Sequence, residues 1–191
     1  MQSDRVRRIM KPDMPGVFLL LALGIYVGGD FLFDLPPSAL VFVSEIVRAR
    51  PEGDRIAFQC EFVYRANHPR RKSYELAFVT SETSGTPPPE NASVVADGQS
   101  IPVRVHSQGF TFELPVKGKG QDTTVRIEYT LSAPQRRAVY VTRTATLWPT
   151  PIESARFELP SNCESSYHKK GEMIAEFTPF HPKENWQIEW R

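Results

Sequence analysis

Large apolar side chains recur at every second position from Ile56 through Phe58, Cys60 and Phe62 to Tyr64. A helix would scatter that row around its circumference, whereas a strand sets all five on one face, because successive side chains point to opposite sides. The same period returns at Tyr74, Leu76 and Phe78, at Ile101, Val103 and Val105, and at Phe110, Phe112 and Leu114. It returns again at Val125, Ile127, Tyr129 and Leu131, at Ala155, Phe157 and Leu159, and at Trp186, Ile188 and Trp190. Val139, Val141, Ala145 and Leu147 extend the pattern, with Arg143 interrupting the apolar row. From residue 38 onward this amounts to about ten strands, with no amphipathic helix of useful length.

Turn chemistry agrees. Asp97-Gly98 lies between apolar residues 92–96 and 101–105, and Asp-Gly between strands is the preferred type I′ hairpin signal. Gly118-Lys119-Gly120 separates the next pair of strands. Seventeen prolines against eleven glycines punctuate the apolar runs and disfavour long helices. Strands with one wet face imply antiparallel sheets, each covered on a single side. The expected fold is therefore all-β: an antiparallel β-sandwich, immunoglobulin-like, over residues 38–191 and preceded by one N-terminal hydrophobic helix. A length of 191 residues suits one such domain plus a targeting segment. The polar, proline-rich stretch 81–91 is an exposed connection, too short to divide two domains.

Residues 1–34 read as the targeting segment. Arg5, Arg7, Arg8 and Lys11 precede an uncharged run, residues 16–29, that includes Gly16, Leu20, Gly24 and Gly28. A basic flank and an apolar stretch are the build of an export signal. Two readings are open. Val27-Gly28-Gly29 is either an imperfect cleavage site that releases a secreted domain, or a missed one that leaves a signal anchor. The anchor is favoured, because Val and Gly replace Ala poorly. Carrying the run through Phe31, Leu32 and Phe33 reaches the roughly 20 residues a spanning helix needs, with Asp30 at one membrane face. The basic flank then stays in the cytoplasm, and the chain after residue 34 lies outside, in the periplasm or at the cell surface. Gly24 and Gly28 are spaced to let two membrane helices approach closely.

The formal charge of +1 divides into +2 over residues 1–29 and −1 over the remainder. A near-neutral domain without a basic stripe is a poor nucleic-acid binder, so no nucleic-acid partner is expected. His68, His106, His168 and His181 stand apart without metal-ligand spacing, and there is no phosphate loop or nucleophile elbow. Glu61, Glu113, Glu128 and Glu158 fall on wet strand positions, with nothing to select a catalytic pair. The expectation is accordingly no catalytic residue, no metal and no cofactor. Cys60 and Cys163 have two readings, a disulfide of the exported domain, or a buried inert thiol with an incidental loop cysteine.

Candidate contact residues cluster in two places. All three tryptophans fall in the last 44 residues, and there Trp186 and Trp190 are expected inward while Phe180 and His181 are expected exposed. Arg70, Arg71 and Lys72, with Arg65 beside them, flank one turn, and Lys117 and Lys119 flank another that alternation places at the same end. Residues 186–191 are expected to form an edge strand available for pairing.

Residues 90–103 (ENASVVADGQSIPV) and 140–160 (YVTRTATLWPTPIESARFELP) resemble exported bacterial sandwich domains of unknown function. The first shares their Asp-Gly hairpin and the second a Trp-Pro-x-Pro-Ile corner between strands. The turn Tyr64-Arg65-Ala66-Asn67 is similar to theirs as well, and the resemblance spans residues 40–190. It implies an extracytoplasmic β-sandwich and carries no functional residue. The functional expectation is a non-catalytic, membrane-anchored interaction module of the cell envelope, attached through residues 16–33 and contacting an envelope protein or polymer. The alternatives are a glycan-active enzyme with an unidentified carboxylate pair and a scaffold subunit of a membrane complex.

Overall fold

The computed structural model describes residues 39–68, 72–83 and 85–191. The strands, in chain order, are β1 (Leu40–Glu52), β2 (Arg55–Ala66), β3 (Ser73–Val79), β4 (Glu90–Ala96), β5 (Gln99–Ile101), β6 (Val103–His106) and β7 (Gly109–Pro115). They continue with β8 (Asp122–Ser132), β9 (Arg137–Tyr140), β10 (Ser154–Glu158), β11 (Cys163–Ser165), β12 (Ile174–Phe177) and β13 (Trp186–Trp190). Among the described residues the helical content is one short 3-10 turn, Arg143–Leu147. The chain is all-β, as the alternation requires.

One layer is a seven-stranded sheet in the order β12-β10-β1-β2-β8-β4-β5. Its inner face carries the rows read from the sequence: Ile56, Phe58, Cys60, Phe62 and Tyr64 on β2, and Val125, Ile127, Tyr129 and Leu131 on β8, all buried. Its other face is laced with charge, Arg48 to Glu158 at 3.0 Å, Arg126 to Glu61 at 3.2 Å and Arg156 to Glu176 at 3.0 Å. Two three-stranded sheets, β3-β7-β6 and β11-β13-β9, cover the inner face. Ring contacts join the layers: Phe78 of β3 lies 5.8 Å from Phe62, Tyr140 of β9 lies 5.5 Å from Phe58, and Phe157 of β10 lies 5.0 Å from Trp186. Each large side chain moved from water to this interface contributes about 1.5–3 kcal/mol. The arrangement is sandwich-like.

Several expectations need correction. The covering layer is two small sheets, where one was expected. Pairing is not uniformly antiparallel, since β10 lies parallel to β1 from Ser44↔Ser154 to Arg48↔Glu158. The run from Ile101 to Val105 is not one strand. Pro102 has no N–H to continue a ladder, so β5 ends the large sheet and β6 begins in the small one, leaving Val105 exposed. Gly118-Lys119-Gly120 joins strands of different layers, not a hairpin pair. The run from Val139 to Leu147 stops as a strand at Tyr140 and tightens into the 3-10 turn. Thr144 and Thr146 hold that turn by donating their hydroxyls to the Val141 and Arg143 carbonyls. The Asp97-Gly98 hairpin forms as expected between β4 and β5, with φ of 46° and 83°. The N-terminal helix over residues 16–33, with Gly16, Leu20, Gly24 and Gly28, lies outside the described residues. Among the described residues no helix is long and apolar enough to cross a membrane.

Candidate functional site

A β-bulge on β1 decides what faces the interior. Phe42 pairs with Tyr64, but Ser44, two residues on, pairs with Val63, one residue back. The extra residue, Val43, shifts the pleat. The inward row therefore restarts at Glu45 and continues through Val47 and Ala49. Glu45 is 3% exposed in a row of apolar residues. The Tyr140 hydroxyl donates to its Oε1 at 2.7 Å. Burial pushes the carboxyl up to about 7, against the smaller downward pull of the Tyr140 hydrogen bond.

Glu45 lines a cavity of about 60 Å³ between the two layers. Phe42, Phe62, Tyr64 and Phe78 form much of its wall, and Leu147 and Trp148, both partly exposed, stand in the segment that also lines it. Trp148 packs 5.5 Å from Phe42 and 5.6 Å from Tyr64. The corner Trp148-Pro149-Thr150-Pro151-Ile152 therefore brings its aromatic ring to this pocket.

A second arrangement looks like a nucleophile and base but is structural. Ser165 Oγ lies 2.7 Å from His168 Nδ1. The same oxygen accepts from Trp186 Nε1 at 2.9 Å and from the Tyr167 and His168 backbone N–H groups. His168 Nε2 faces the Phe157 carbonyl at 3.0 Å, which makes Nε2 the N–H and leaves Nδ1 to accept the serine proton. With both ring nitrogens and the hydroxyl committed, the cluster ties the loop after β11 to β10 and β13.

A wider groove of about 540 Å³ runs along β9, with Arg137 and Val139 on one side and the 80–87 connection on another. β9 is the outer strand of its sheet. The Trp190 N–H donates to the Arg136 carbonyl at 3.2 Å. Antiparallel alternation then turns the Ala138 and Tyr140 backbone toward β13 and that of Arg137 and Val139 away from it.

The residues singled out from the sequence fare unevenly. Trp186 and Trp190 are buried as expected, but Phe180 is not a surface residue. It is 3% exposed, bridged through its backbone to Ile152 and packed 5.3 Å from Phe157. His181 is exposed. Residues 186–191 do not present an edge, because β13 sits between β11 and β9, which are the outer strands of that sheet. Arg70 and Arg71 lie outside the described residues. Lys72 is exposed, and its carbonyl accepts the Val116 N–H at 2.8 Å, so the two basic turns do meet at one end. Much of their charge is already matched: Arg65 grips Asp122 at 2.7 and 3.1 Å, and Lys117 reaches Asp97 at 3.1 Å. The Arg65 guanidinium holds the Asp122 carboxyl below the usual carboxylate range. Cys60 and Cys163 are both free thiols, so the disulfide is not formed. Cys60 points into the core from the middle of the large sheet, while Cys163 pairs with Trp190 in a separate small sheet. Among the described residues no three side chains cluster as metal ligands.

Fold and site together define an all-β, sandwich-like domain with a carboxylate set in an aromatic pocket. No family model matches the sequence, and no curated protein matches it. Among solved structures the chain is similar to a protein from Legionella pneumophila described as nutrient-binding, with a TM-score of 0.58 and 12% identity over 80% of this chain and 68% of that one. Identity at that level shows the fold alone. Similarity to an M1 zinc metallopeptidase from Deinococcus radiodurans has a TM-score of 0.46 and 11% identity over 79% of this chain and 42% of that one. For yeast LTA4 hydrolase the values are 0.49 and 11%, over 79% and 28%. This chain thus spans less than half of either enzyme, and neither likeness carries an argument about activity.

Proposed function

We propose that this chain is a non-catalytic interaction module of the cell envelope, anchored through residues 16–33, that engages an extended segment of a partner protein along β9. The observation that carries the reading is the side of β9 that pairs with no strand among the described residues, beside an open groove of about 540 Å³. A strand added there finds main-chain donors and acceptors at Arg137 and Val139, which supply affinity independent of side-chain identity. Other edges are less inviting: β5 is three residues long and is followed by Pro102, devices that blunt an edge. The basic flank before residue 16 and the uncharged run after it support placing the domain outside the cytoplasmic membrane. The glycan-active alternative needs two carboxyls flanking a cleft. Among the described residues Glu45 is the one carboxylate lining its pocket, whereas Glu82, which accepts from Asn185 at 2.9 Å, and Glu184 both line the wider groove.

Site-specific photocrosslinking in cells tests the reading. A photoreactive residue at position 139 is expected to yield a discrete envelope adduct, and one at the exposed outer-face position 126 none. Equal labelling at both positions, or no adduct at 139, removes the β9 interface. Membrane fractionation with N-terminal sequencing tests the anchor separately: an intact N-terminus in the membrane fraction supports it, and a new N-terminus near Asp30 in a soluble exported fraction sinks it.

A further inference from the structure

We infer that the cavity beside Glu45 is a binding site for a small organic cation, a primary or methylated ammonium group. This site is separate from the β9 groove and does not depend on it. Three observations point to it. First, Glu45 is 97% removed from solvent and lines the cavity, and the side-chain hydrogen bond described for it is the one that Oε1 accepts from the neutral Tyr140 hydroxyl. A buried carboxylate with no opposite charge beside it is costly, and an entering cation would relieve that cost. Second, the surrounding wall is aromatic: Phe42, Phe62, Tyr64 and Trp148 line it, and aromatic rings attract ammonium groups. Third, the space fits. About 60 Å³ is roughly twice the share of one water in the liquid, enough for an ammonium head with one or two carbons and too small for a sugar ring. The rest of an alkylammonium chain extends outward past Leu147 and Trp148.

Other occupants fit less well. An anion meets the carboxylate. A hard metal ion needs six or more oxygen ligands, and this wall is mostly rings. A neutral apolar group supplies no charge to match the carboxylate.

Binding should follow the ionisation of Glu45. The other titratable groups near it are Cys60 and Tyr64 on β2, Tyr129 on β8, Tyr140 on β9 and Tyr167 in the loop after β11. Burial pushes all of these upward, so they stay neutral through the range in which Glu45 titrates.

The test is a fluorescence titration of the full chain with butylammonium chloride at constant ionic strength, using Trp148 as the reporter, with butanol as the uncharged counterpart. At about pH 8 a saturable change is expected with butylammonium and none with butanol. At about pH 5 only a small fraction of Glu45 is ionised, and apparent affinity should fall at least tenfold. Glu45→Gln should lose at least tenfold at pH 8 while keeping the fold. Equal response to butanol, or unchanged affinity in Glu45→Gln, identifies an apolar pocket and overturns the proposal. So does the absence of any saturable change in the wild-type protein, a result that needs no variant to fold. Competition by sodium chloride equal to that by butylammonium would exclude recognition of an organic cation.

Discussion

Glu45 makes stability depend on pH in an unusual direction for a carboxylate. Its folded value near 7 lies above its ordinary value of 4.5, so the folded state holds the proton more tightly than the unfolded chain. That contribution is complete below about pH 4, declines as pH rises toward 7, and is flat above. The shift corresponds to about 3 kcal/mol lost at neutral and alkaline pH. Glu45→Gln removes the ionisation, so its stability gain over the wild type should be small near pH 4 and reach a few kcal/mol at pH 8, read by denaturant melts at each pH. A pH-independent difference would mean that the carboxyl titrates normally. Gly109 illustrates a steric constraint. It opens β7 at φ 152°, and a Cβ there would stand 2.0 Å from the Phe78 carbonyl oxygen of the paired strand. Gly109→Ala should cost about 2–3 kcal/mol; a melt within error of wild type would show that β3 and β7 separate easily. The cysteines give a third check. Half-buried Cys163 should react with a thiol reagent in the native protein and buried Cys60 only after unfolding, with no change in either on adding reductant.

Strands were legible in the sequence where one face meets the core and the other meets water. β2 and β8 show the alternation over 12 and 11 residues and are placed as read. The signal failed where chemistry other than periodicity decides the outcome. Pro102 divides a run whose apolar spacing is continuous, because spacing takes no account of a missing donor. The segment after Tyr140 looks like a strand by hydropathy, but its threonines bond to backbone carbonyls and close a 3-10 turn. Topology was less legible still: nothing in residues 154–158 reports that β10 crosses to lie parallel to β1. The site was half visible. Trp148 stands out at its proline-flanked corner, whereas Glu45 is hidden by the bulge at Val43. The one available signal was a carboxylate in the inward row with Val47 and Ala49. At this scale β9 also carries a test. Val139 is 45% exposed and touches the groove, so Val139→Lys should leave the melting temperature within a degree or two, as surface changes do. It should also weaken the β9 partner contact. Loss of stability instead would place Val139 in the core.

Across the whole molecule, the C-terminal third is wedged into the N-terminal sheet and not appended to it. β10 supplies the neighbour of β1 across a sequence gap of 110 residues, from Ser44 to Ser154. Tyr140 reaches over to Phe58 at 5.5 Å, to Phe157 at 6.4 Å and to Trp186 at 6.2 Å, so one aromatic network crosses both layers. Rings in such contact contribute about 0.5–1.5 kcal/mol per pair beyond their burial, and all are lost together if the last strands peel away. Tyr140 is also the hydroxyl that partners Glu45, so removing the C-terminal third would leave a carboxyl without a hydrogen bond on bare β1. The described residues should therefore unfold as one cooperative unit. The tryptophans allow a direct test, because Trp148, Trp186 and Trp190 all lie in the C-terminal third, whereas far-ultraviolet circular dichroism reports the strands of the whole chain. In guanidinium the two signals should share a midpoint and slope. If fluorescence changed first, β10 to β13 would form a separable unit. The parallel pairing with β1 would then be too weak to couple the layers, and the pocket would open without global unfolding.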